Sequence, residues 1–114
     1  MNTNPYYNPE TMNTNPYYNP KTMGLKILGT LDEDLDYEFN MLVVWQETAT
    51  KKLYYATDSG CSCPTPFEDY TTIDSLTPVN VQTLSNFENE VKNFPVSGPE
   101  KTELLTLVAR KLRD

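Results

Sequence analysis

Both cysteines of the chain fall within one stretch, Asp58 to Tyr70 (DSGCSCPTPFEDY), together with three carboxylates and two aromatic residues. Any chemistry of its own would start there. Zinc is usually held by four cysteine or histidine ligands at spacings such as Cys-x-x-Cys. This chain offers Cys61 and Cys63 as Cys-x-Cys and has no histidine. A metal site would need a carboxylate such as Asp58 as a further ligand, or a twofold dimer pooling four thiols. Thiol redox chemistry needs a stabilised thiolate, favoured by nearby positive charge, and the neighbours here are acidic. A hydrolytic site would take Ser59 or Cys61 as nucleophile and Asp58, Glu68 or Asp69 as base, with no imidazole to orient either. The simpler reading is a compact loop in which Gly60 permits a turn and the cysteines act as small apolar residues. Pro64 and Pro66 then stiffen the chain, and Phe67 plugs the core. On that reading the protein is not an enzyme and needs no cofactor. If the loop has a role it is as a contact surface, with Asp58, Glu68, Asp69 and Tyr70 as the partner-binding candidates.

The segments that would position this loop are legible from their periodicity. Leu25 and Ile27 alternate with Lys26 and Leu28, a first strand starting soon after Met23. An acidic bridge, Asp32 to Asp36, leads to a second strand from Tyr37 to Glu47. Its Phe39, Met41, Val43 and Trp45 share one face, and its middle, Leu42 to Trp45, is apolar on both. A polar turn then precedes a third strand, Leu53 to Thr57. Beyond the loop, Ile73, Leu76 and Thr77-Pro78 read as a helix start or a short extended link. Leu84, Phe87, Val91 and Phe94 recur at helical spacing, with Ser85 to Glu88 matching a capping box. Ser97 to Glu100 matches a second, ahead of the stripe Leu104, Leu105, Val108 and Leu112. The fold class is therefore α+β: a three-stranded antiparallel sheet with two C-terminal helices packed on one face. Trp45, Phe39, Leu53, Tyr55, Phe87, Val91, Leu104 and Val108 are the candidate core.

Residues 1–22 are a direct duplication, MNTNPYYNPET followed by MNTNPYYNPKT, differing only at Glu10 and Lys21. Rich in proline and poor in aliphatic side chains, the repeat reads as a disordered tail, with one domain over residues 23–114. Its removal is expected to leave the unfolding midpoint nearly unchanged. The paired tyrosines Tyr6-Tyr7 and Tyr17-Tyr18 also leave open two weak docking points with shared avidity.

With 114 residues, 38% of them hydrophobic, and a net charge of -7, the chain holds one core and is acidic. The only basic cluster, Arg110-Lys111-Arg113, sits where cations oppose a helix dipole, so direct nucleic-acid binding is not expected. No signal peptide and no membrane span is apparent, and the cytosol is the expected address.

The stretch LVVWQETATKKLYYATDSGCSCPTPFEDYTTIDSLTP, Leu42 to Pro78, resembles a group of small uncharacterised proteins of bacteriophages that infect actinobacteria. These carry a TDSGCSCP-type loop after a tryptophan-bearing hairpin, and the duplicated tail is not part of their pattern. The resemblance implies a phage gene product acting in the host cytoplasm or, alternatively, in the virion. It transfers no functional residue. The expected function is that of a non-enzymatic accessory protein binding a host or phage protein, its oligomeric state open. The alternatives are a minor virion component and a metal- or thiol-using protein acting through Cys61 and Cys63.

Overall fold

The structure is a computed structural model and describes residues 15–33, 38–61 (Cys61 by its backbone alone), 67, 70 and 72–113. Four strands form one antiparallel sheet in sequential order: β1 (Leu25–Asp32), β2 (Glu38–Glu47), β3 (Leu53–Cys61) and β4 (Thr77–Val79). Two helices follow, α1 (Leu84–Asn93) and α2 (Glu100–Arg113). The α+β class holds, but the sheet has four strands and not the expected three. The fourth is only three residues long and contains Pro78, which lacks an amide proton and so suits an edge strand alone. Such a segment is too short to show alternation.

β2 is central and pairs in unbroken register with β3, from Glu38 opposite Cys61 to Gln46 opposite Leu53. β3 thus runs four residues beyond its expected end at Thr57, into the loop. β1 is bulged: Ile27 faces Trp45 and Gly29 faces Val44, leaving Leu28 as the extra residue. The bulge reverses which side chains face which side. Leu25, before it, packs on one face of the sheet, and Leu28 and Leu31 pack on the other. Gly29 lies under α2, where a Cβ would come within 2.7 Å of Leu104 Cδ1, so the absent side chain permits the close approach.

Both faces of the sheet are covered. On one, Leu42, Val44, Leu53, Tyr55 and Val79 meet Phe87, Val91, Leu104 and Val108 of the helices. The predicted helical stripes are the ones buried, and Tyr55 meets Phe87 edge to face with ring centroids 5.1 Å apart. Neither half of the start of α1 follows the Ser85 capping box, because the helix begins earlier, at Leu84, with Thr83 at its N-cap. The lead-in is tied by Asn80, whose Oδ1 accepts from the backbone N–H groups of Gln82 and Thr83. Thr83 Oγ1 in turn donates to the Pro78 carbonyl.

On the opposite face Leu25, Met41, Val43, Trp45, Ala56, Phe67 and Leu76 form a second cluster, flanked by Tyr17, Met23, Phe39, Tyr54, Tyr70 and Ile73. Trp45 and Phe39, expected in one core with the helices, belong here instead. Among the described residues no α-helix covers this face. Its cover is the chain from Asn15 to Met23 together with Phe67, Tyr70 and the short 3-10 turn Ile73–Ser75.

The expected boundary after residue 22 is corrected accordingly. Asn15 and Pro16 are fully buried, and the Trp45 indole N–H donates to the Pro16 carbonyl at 2.8 Å. The expected tail therefore enters the fold at Asn15, and its reading as disordered does not hold for residues 15–22. Residues 1–14 lie outside the described residues. The reason is that one buried hydrogen bond and two buried small residues, set against a tryptophan, offset the ordering cost that low aliphatic content seemed to forbid.

Candidate functional site

Two places among the described residues combine apolar and polar groups: an aromatic cleft over Trp45 that residues 15–19 fill, and an open lysine-lined groove at one end of the sheet.

The cleft is built around residues 15–19. Asn15 Oδ1 accepts from the backbone N–H groups of Tyr17 at 2.8 Å and Tyr18 at 3.0 Å, and Asn19 N–H donates to the Asn15 carbonyl. This is a single helical turn with asparagine as N-cap and proline next to it, where a missing amide proton costs nothing. A 3-10 turn, Pro20–Met23, carries the chain on to Gly24, whose φ of 70° suits glycine. The turn delivers Tyr17 against Phe67, with ring centroids 6.0 Å apart.

Phe67 is the floor of the cleft. It is completely buried, meeting Trp45 edge to face at 5.5 Å and Tyr70 at 5.4 Å. Its φ is 62°, a left-handed conformation that costs an L-residue about 1–2 kcal/mol. Two bonds hold it there. Asp58 Oδ2 accepts from the Phe67 N–H at 2.8 Å, and the Phe67 carbonyl accepts from the Tyr70 N–H at 3.1 Å. The Tyr70 hydroxyl in turn donates to the Thr57 carbonyl at 2.9 Å, tying the segment back to β3. Phe67 thus plugs the core, as the compact-loop reading expects. Burial, with smaller contributions from Asp32 and Tyr18, pushes the Tyr17 hydroxyl pKa above its usual value.

Of the residues singled out in the sequence, Asp58 and Tyr70 are brought together with Phe67, and both spend polar atoms on the loop itself. Asp58 Oδ1 also accepts from Ser59 N–H. Cys63, Glu68 and Asp69 lie outside the described residues, as does the Cys61 side chain. Among the described residues no three cysteine, aspartate or glutamate side chains gather within metal-binding range. No helix among them is long and apolar enough to cross a membrane.

The groove has a volume of about 770 Å³. Lys26, Gln46, Leu53 and Val79 line it and form one row straight across the four strands, each opposite the next. Lys51 and Lys52 come from the β2–β3 turn, Ile73, Asp74 and Leu76 from the 3-10 turn and its end, and Lys111 and Leu112 from the last turn of α2. Tyr54 and Pro78 complete its wall. The turn is stiffened by Thr50 Oγ1 donating to Glu47 Oε1, by Gln46 Nε2 donating to the Lys51 carbonyl, and by Lys51 at φ 67°. The Tyr54 hydroxyl pKa is raised, by burial first and then by Glu47 and Asp74. Sequence reasoning missed this groove because its lysines are far apart in the chain. Strand β1, the β2–β3 turn and the last turn of α2 bring them together.

A family model described as Domain of unknown function (DUF7574) matches residues 14–113. The match begins next to Asn15, where the described fold begins. No curated protein and no solved structure matches the chain.

Proposed function

We propose that this chain, which belongs to the DUF7574 family, is a non-catalytic binding module that captures an acidic segment of a host or phage protein. The observation that carries the reading is the gathering of charge in the groove. Four of the nine basic residues of a chain with net charge -7 line it, with Asp74 as the only carboxylate in its wall among the described residues. Cations grouped against the trend of the whole molecule create a local attractive field for an anionic partner. Tyr54, Val79 and Leu112 add the apolar contact that a purely electrostatic patch would lack. The resemblance of residues 42–78 to actinobacteriophage proteins supports a phage gene product acting in the host cytoplasm.

The test is partner capture from host lysate by the intact protein, by Lys51→Glu/Lys52→Glu and by Glu68→Ala/Asp69→Ala. The groove reading expects the lysine reversal to abolish capture of a specific partner, and capture by the parent protein to weaken as salt rises. It expects the carboxylate pair to be dispensable. Loss in the carboxylate variant alone would return the contact surface to the Asp58–Tyr70 loop, and capture indifferent to both would end the proposal.

A further inference from the structure

We propose that the cleft over Trp45 and Phe67 is a binding site for an Asn-Pro-Tyr-Tyr segment with two occupants in the same chain. One is residues 15–19, and the other, by exchange, is residues 4–8 of the first repeat copy.

Every group that docks the second copy has a counterpart in the first. The N-cap Asn15 corresponds to Asn4, and Pro16, whose carbonyl accepts from the Trp45 indole, corresponds to Pro5. Tyr17 and Tyr18 correspond to Tyr6 and Tyr7, and Asn19, whose N–H closes the turn, to Asn8. The equivalence continues through the 3-10 turn, where Pro20, Thr22 and Met23 have Pro9, Thr11 and Met12 as counterparts. The one mismatch, Glu10 for Lys21, falls at an exposed position of the docked copy. Even the left-handed Gly24 is matched by Asn13, and asparagine is among the non-glycine residues that adopt this conformation most readily. The turn itself is encoded locally by Asn-Pro, so its information is duplicated with the sequence.

The two occupants differ in the chain that must be closed behind them. Docking residues 15–19 leaves about five residues before β1, and docking residues 4–8 leaves about sixteen. Loop closure then disfavours the first copy roughly sixfold, a difference small enough for exchange. Duplication thus turns a structural strap into a site with a built-in competitor.

The protein has one tryptophan, so its indole N–H reports occupancy of the cleft through protection from solvent hydrogen exchange. In the full chain, Asn15→Ala/Tyr17→Ala blocks the second copy, and Asn4→Ala/Tyr6→Ala blocks the first. Exchange of occupants predicts a roughly sixfold loss of protection when the second copy is blocked and almost none when the first is. It predicts full loss only when both are blocked. Equal loss in the second-copy and doubly blocked chains would overturn the proposal. Residual protection that rises with protein concentration would overturn the intrachain assignment in favour of docking between two copies. Should the paired substitution unfold the chain, Tyr17→Ala against Tyr6→Ala/Tyr17→Ala carries the same comparison.

Discussion

The two faces of the sheet are closed by different means. The helical face is covered by stripes whose backbone hydrogen bonds are satisfied within each helix, so its cover needs only apolar side chains at the right spacing. The other face is covered by irregular chain, whose polar backbone groups must find partners one at a time. Trp45, Asp58 and Tyr70 each supply one such partner from elsewhere in the chain, and Asn15 supplies one within its own turn. The lesson is that a helical cover is specified locally, while a coil cover is specified by a few long-range pairs. Each of those pairs is a single point of failure.

The largest effect that separates the two faces comes from their central phenylalanines. Phe87→Ala and Phe67→Ala should each cost about 3–5 kcal/mol, as both side chains are fully buried. Their consequences should differ. Loss of Phe87 should lower the whole unfolding transition, whereas loss of Phe67 should also release residues 15–24 to proteolysis before the helices melt. Limited proteolysis with mass mapping checks this, and identical cleavage patterns would erase the distinction between the faces.

Asp58→Ala comes next, at about 1.5–3 kcal/mol, because it strips the acceptor from a buried, left-handed Phe67 amide. Urea unfolding measures it, and a cost under 0.5 kcal/mol would show that the loop holds without this bond. Asn15→Ala should cost about 1 kcal/mol by the same method, because two backbone donors lose their acceptor and the first repeat copy, roughly sixfold less favourable, takes the place of the second.

The smallest effect is alkaline. The hydroxyls of Tyr17 on the coil face and Tyr55 on the helical face both have pKa values raised above 10.0, mainly by burial. A raised folded-state pKa means the neutral form is favoured by folding. That stabilisation is complete below pH 10 and is lost as pH rises through the folded-state value. The thermal midpoint should therefore fall above pH 10, and Tyr17→Phe should reduce the fall. An unchanged alkaline slope in that variant would contradict it.

The same contrast explains what could be read from the sequence. The two helical stripes, the apolar middle of the central strand and the burial of Phe67 are carried by periodicity and local chemistry and are found as read, whereas the Ser85 capping box and a shared core for Trp45, Phe39 and the helices are not. β4 was hidden by its length and by Pro78, and the reversal of face in β1 by the extra residue Leu28, which no alternation rule anticipates. The place of residues 15–22 was hidden for a deeper reason. Their composition is that of a tail, and their order depends on Trp45 and Phe67, remote in the chain. Asn15-Pro16 as a helix-turn start was the available signal. Of the loop candidates, Asp58 and Tyr70 both bond to the backbone of Phe67, a role that their place in the loop does not reveal. The groove lysines come from three separate stretches, at residues 26, 51–52 and 111, and no local pattern joins them.

Removal of residues 1–22 tests the coil-covered face most directly, read by urea unfolding and by the emission of Trp45. Uncovering Trp45 and breaking its bond to Pro16 should cost about 3 kcal/mol and shift its emission to the red in the folded state. An unfolding midpoint and emission maximum equal to those of the full chain would contradict the account and return these residues to the status of a tail.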